Sequence, residues 1–142
     1  MPVNGTGQGN SPNTPVKQRA LEYFMRVHAG VVRGVMQKYP RWADPHYYYV
    51  DANAGTGKNN DGSPGSVLIA QHMVTEAGLP LIGMAIEKDT SSVMLLQGAL
   101  LTTPTFRVIH EDNALALRPS LIPLTHRGEK YGLLYCDPNG VN

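Results

Sequence analysis

Five carboxylates of this 142-residue chain stand where a run of apolar residues stops: Asp51 after "YYYV", Glu87 after "LIGMAI", Glu111 and Asp112 after "TFRVIH", and Asp137 after "YGLLYC". An ionised carboxylate accepts hydrogen bonds from hydroxyl and amino groups, and it can take a proton from a reacting group. Asp51 leads at once into "ANAGTGK". Glycine lacks a Cβ, so the backbone of such a loop can approach a ligand closely. The lysine after "GTG" suggests a phosphate-binding loop, but that motif needs glycine at 52 and Ser or Thr at 59, where the chain has Ala52 and Asn59. Residues 59–62 also separate the loop from the next helix, whereas a phosphate loop aims a helix N-terminus at its ligand. The dinucleotide fingerprint is matched only by Gly55-Thr56-Gly57. Two readings remain for the loop: a glycine turn with no ligand, or a cradle for a nucleoside without phosphate. Glu87 favours the second, because an acid at the tip of the next strand can accept from both ribose hydroxyls.

The elements that must position these groups can be read from periodicity. Residues 1–13 are rich in Gly, Asn, Pro, Ser and Thr and form an expected flexible tail. Thr14-Pro15 reads as a helix start, and Val16, Ala20, Leu21, Phe24, Val27, Val31, Val35 and Tyr39 as one apolar face of a long helix stopped by Pro40. Strands are expected over 47–50, 81–86, 105–109 and 131–135. Helices are expected over 65–77, opened by the Ser63-Pro64 cap, and over 91–101, capped by Thr90. Residues 115–124 contain two prolines and resist assignment. Strand and helix alternate, so residues 14–142 predict an α/β domain: a Rossmann-like parallel sheet with helices on both faces. In such a sheet ligands bind beyond the carboxyl ends of the strands, where the acids lie.

The bulk properties narrow the classes. A net charge of +1 gives no excess for nonspecific nucleic-acid binding. The one cysteine, Cys136, permits no internal disulfide, which suits a reducing, cytoplasmic setting, and a buried strand position is expected for it. No apolar run approaches a membrane span, and no leader peptide is visible. His110, Glu111 and His126 match no metal-ligand spacing and read as a solvated loop, while His28 and His72 read as surface or packing residues of helices. Lys17, Arg19, Arg26, Arg33 and Lys38, with Arg41 just beyond, make the first helix basic, either a solvated face or a weak nucleic-acid surface.

Taken in order, the motifs resemble those of class I S-adenosylmethionine-dependent methyltransferases. "VDANAGTG" is similar to their first motif, "IEKD" to the second, "HEDNA" to the third and "YCDPNG" to the fourth. Within that superfamily the chain most resembles the three-Cys-motif partner proteins. The likeness lies in "VKQRALEYF", the "Y-x-D-x-x-A-G-x-G" strand and turn, "DGSPGSVLIA" and the "D-P-x-G" end of strand four, and it spans residues 16–142. The resemblance implies an S-adenosylmethionine cofactor held by Asp51, Asn53, Ala54, Gly55 and Gly57, by Glu87 at the ribose, and by Asp112 and Asn113 at the adenine, which would lie on Ile86 and Ala114. It implies Asp137, Pro138 and Asn139 as the catalytic loop.

That loop differs from the amino-methylating nucleic-acid enzymes, which follow Asp or Asn with two prolines and an aromatic ring that stacks on the flipped base. Here Asn139 and Gly140 take the last two places, and all four residues are also turn formers. The methyl acceptor stays open among nucleic acid, protein and small molecule. The superfamily adds three more strands after the fourth. The expectation is therefore a cofactor-binding half, with strand four as an edge exposing Leu133 and Leu134. Another protein, a second copy, or chain missing from this sequence would complete the sheet. The alternative is a non-catalytic module that assembles with a partner.

Overall fold

The computed structural model describes residues 14–40, 43–103, 105–125 and 129–137. The expected tail 1–13, His126, Pro138 and Asn139 lie outside them. Helix α1 (Thr14–Lys38) leads into strand β1 (Ala43–Asp51), α2 (Ser66–Glu76), β2 (Leu81–Glu87) and α3 (Thr90–Ala99). Then come β3 (Phe106–His110), α4 (Asn113–Leu121) with a 3-10 turn (Ile122–Thr125), and β4 (Glu129–Tyr135). The four strands form one parallel sheet in the order β3-β2-β1-β4. β1, β2 and β4 run a little further than their apolar runs suggested, and β3 is shifted by one residue from the expected 105–109.

The faces follow from strand alternation. Tyr47 and Tyr49 of β1 and Leu81 and Ala85 of β2 point into a core with α1, α2 and α3. Val50 and Ile86 point the other way and meet Ala116, Leu117 and Leu121 of α4. Both faces of the sheet are therefore covered, as an all-parallel sheet requires. The ring of Phe106 lies over Gly83 so closely that any Cβ there would collide with it, and its edge meets Tyr49 with centroids 6.1 Å apart.

Three local expectations are corrected. The cap of α3 is Asp89, whose carboxylate accepts from Ser92 N at 2.9 Å, and Thr90 is already helical. The cap of α2 is Gly65, with no side-chain bond; Ser63 instead donates to Asp61 in the loop before it. The unassigned segment is α4 and its 3-10 extension. Pro119 sits inside that helix, where the amide it lacks would have faced the carbonyl of Leu115, an exposed position.

The long first helix is the largest correction. It buries Leu21, as expected, and with it Met25, Ala29 and Val32, a stripe turned away from the rest of the expected face. Met25 is wholly covered, whereas Val16, Phe24, Val27 and Val31 are 47–59% exposed. The helix carries two apolar stripes, and periodicity alone does not say which one meets the sheet.

Candidate functional site

All four strands end at one cavity of about 360 Å³, within the range of roughly 300–1,000 Å³ typical of small-molecule sites. Its wall is the glycine loop after β1, the ends of β2 and β3, the segment after β4, the N-terminus of α2 and the first turn of α1.

The loop is shaped by positive φ at Gly55 (67°) and Gly57 (86°), where a side chain would strain the backbone. The two glycines differ in what lies beyond them. A Cβ on Gly57 would come within 2.9 Å of Ala99, so this glycine lets α3 pack against the loop. A Cβ on Gly55 would meet nothing within 4 Å, and this glycine lines the cavity. Residues 58–64 fold back on themselves through Asn59 N–Ser63 O at 2.8 Å and Gly65 N–Gly57 O at 2.9 Å. Gly65 and Ser66 thereby reach the cavity wall despite the intervening loop.

Glu87 is buried to 4% exposure and anchors that loop. One carboxylate oxygen accepts from Gly55 N at 2.8 Å and the other from Asp89 N at 3.0 Å. Each oxygen keeps a further lone pair, and Glu87 lines the cavity.

Asp51 is placed differently. It is fully buried and does not line the cavity. Its oxygens accept from Tyr49 Oη at 2.8 Å, Ser66 Oγ and Asn53 N at 3.1 Å. It thus ties the strand, the loop and the start of α2 together. Burial raises its pKa to about 6, against the lowering effect of those three donors, and the charge of Asp137 adds to the rise. Tyr49 is pushed well above its ordinary value by burial and by Asp51, and Tyr135 to about 12 by burial and by Asp137 and Asp51.

The remaining expected positions fall as follows. Asn53, Ala54, Asp112, Asn113 and Asp137 line the cavity. Asp112 also caps α4, accepting from Ala114 N at 2.8 Å, so that amide is already engaged by the chain. Asp137 pairs with Lys17 Nζ at 3.1 Å, across 120 residues. Gln18 and Asn59 exchange two hydrogen bonds, of 3.0 and 2.8 Å, which clasp α1 to the loop. Lys17, Gln18, Asn59, Ser66 and Lys88 belong to the wall and were not singled out as site residues from sequence; no spacing links the first helix to the strand ends. Cys136 is exposed just beyond β4, contrary to the buried position expected. His28 packs as expected, sharing a 2.7 Å hydrogen bond with Tyr47 Oη and stacking on Phe24.

The wall carries three lysines (Lys17, Lys58, Lys88) against four carboxylates (Glu87, Glu111, Asp112, Asp137). That set disfavours a polyphosphate and suits a ligand that is neutral or cationic where it meets the acids. Among the described residues no three His, Cys, Asp or Glu side chains converge as a metal site, and no helix is long and apolar enough to cross a membrane. No protein-family model matches the chain, and no curated protein matches its sequence.

Proposed function

We propose that the cavity binds S-adenosylmethionine and that the chain is the cofactor-binding part of a methyltransferase. The observation that carries this reading is Glu87: a buried carboxylate, locked by two backbone amides, in the wall beside an open glycine. Its free lone pairs suit the two vicinal hydroxyls of a ribose. The residues present fit the rest of the molecule. Gly55 leaves room for the amino-acid end, Ile86 gives an apolar surface for the base, and Glu111, Asp112 and Asn113 offer acceptors at its edge. The acidic wall suits a sulfonium and an ammonium, and a triphosphate would meet repulsion there.

When bound, the cofactor would supply a methyl group whose bond to sulfur breaks, with the electron pair left on sulfur, as the acceptor attacks in line. The chain's part is to position and to handle a proton. Asp137 is the residue we assign to the acceptor. Lys17 holds its Oδ1, leaving Oδ2 to take a proton from the attacking group. Among the described residues β4 is one of the two edges of the sheet, with Leu134 exposed and Leu133 packed against the core. That edge favours a second reading, in which the domain holds its ligand and works only as a module beside another protein.

Calorimetric titration tests the proposal. The full chain is expected to bind S-adenosylmethionine, competed by S-adenosylhomocysteine, and to show no saturable binding of ATP-Mg. Binding that is absent, or that survives in a folded Glu87→Ala variant, would overturn it.

A further inference from the structure

We propose that the outward face of α1 is a docking surface for an acidic amphipathic helix of another protein. The inference is independent of the ligand assigned to the cavity.

The surface is the second stripe of the helix. Val16, Ala20, Tyr23, Val27, Gly30 and Gly34 follow one another in steps of four and three, the spacing of a helix–helix seam. All six are exposed, and Phe24 and Val31 widen the seam on one side. A contiguous apolar stripe of this length on a helix already anchored by its other face marks an interaction site.

The two glycines sharpen the inference. Glycine is a poor residue for a helix interior. In this fold neither position needs it, since a Cβ on Gly30 or Gly34 would meet nothing within 4 Å. What a pair of glycines four apart does permit is the close approach of a second helix backbone.

Charge identifies the occupant. Arg19, Arg26 and Arg33 recur every seven residues along one side of the seam and are exposed. Glu22 is the one acid on α1, and it is already paired with Arg26 at 3.2 Å. A basic row beside an apolar seam selects a helix with acids beside its own seam. Residues 1–142 supply none. Every Asp and Glu of the sequence lies among the described residues, so residues 1–13 and 138–142 contain none. Among its own helices, α3 has no charged residue, α4 has only Arg118, and α2 has the single acid Glu76. A second copy therefore offers no complement. Nucleic acid would answer the arginines but leave the apolar seam uncovered.

The test uses the full chain and two labelled synthetic helices of about four heptads with Val and Leu at the seam, one flanked by Glu and the other by Lys. Fluorescence anisotropy should show binding of the Glu peptide alone. The variant Arg19→Glu/Arg26→Glu/Arg33→Glu should bind it at least tenfold more weakly and should now prefer the Lys peptide. Gly34→Leu should raise the Tm, because the position is open and leucine is the better helix former, and should lose at least tenfold in peptide affinity. Binding of both peptides equally, or of neither, would overturn the proposal. So would displacement of the Glu peptide by a short duplex oligonucleotide, or a dimer in sedimentation that Gly34→Leu dissolves.

Discussion

Asp51 and Glu87 end adjacent parallel strands, both are buried, and in the sequence each is an acid that closes an apolar run. Their surroundings are opposite. Asp51 is sealed in protein and receives donors from the strand, the loop and α2. Glu87 stands in the cavity wall with backbone amides behind it and lone pairs in front. The register explains the difference. Asp51 is level with Ala85 of β2 and Tyr135 of β4, so Glu87 reaches two residues further, about 6–7 Å at the rise of a strand. Both acids anchor the loop, but the one whose strand outreaches its neighbour also meets the cavity, and the one that stops level with it is sealed in protein.

The comparison is broken most forcefully at Glu87. Replacing it by alanine releases the amides of Gly55 and Asp89 from a charged acceptor, at about 1.5–3 kcal/mol each. We expect a loss of roughly 3–6 kcal/mol in stability, read as a shift in urea midpoint, together with loss of S-adenosylmethionine binding. Glu87→Gln separates the two effects. It keeps one acceptor and the shape, so the fold should persist while affinity falls by about 2 kcal/mol or more. Unchanged affinity would move the ligand away from this wall.

Asp51 should show the reverse signature: little direct effect on the ligand and a distinct dependence of stability on pH. Its folded pKa, about 6, lies above the ordinary 3.8. Between these values the folded state holds the extra proton, so stability falls as pH rises from about 4 to about 6. The full effect is ~3 kcal/mol between the two ends of that window. Asp51→Asn, which keeps the shape and cannot ionise, should flatten this part of the profile. Urea midpoints of both proteins at pH 4.5 and pH 7 check it. A parallel profile in the two proteins would remove Asp51 as the cause.

The sequence made the architecture legible because each strand is apolar and short and each helix periodic, and the alternation leaves few topologies. It also placed the cavity, since a parallel sheet brings every carboxyl end to one rim. What it hid was depth and partnership. Asp51 and Glu87 are separated by register, which depends on how β1 and β2 slide against each other. Beyond Leu21 the buried stripe of α1 is not legible, because Met25, Ala29 and Val32 and the apolar residues beside them both fit a helical period. Lys17 and Gln18 were missed because their partners, Asp137 and Asn59, are distant in the chain. Asp89 was overlooked beside Thr90, although either residue type can cap a helix.

The smallest effect is expected where α1 meets the end of β4. The Lys17 side chain is 42% exposed and that of Asp137 19%, so water screens the pair. Breaking it by Asp137→Asn should cost at most about 1 kcal/mol of stability. It should also leave the affinity for S-adenosylmethionine nearly unchanged, because Glu87 and the glycine loop are untouched. If the domain transfers methyl groups, turnover should nevertheless collapse in this variant, since the oxygen that takes the proton is gone. If the domain works only as a binding module, the variant should match the wild type in ligand affinity, and neither protein should release S-adenosylhomocysteine. One substitution, followed by calorimetry and by release of S-adenosylhomocysteine, therefore separates the two readings of the cavity: a weak ion pair has little to lose in stability, so any large loss of turnover must come from chemistry.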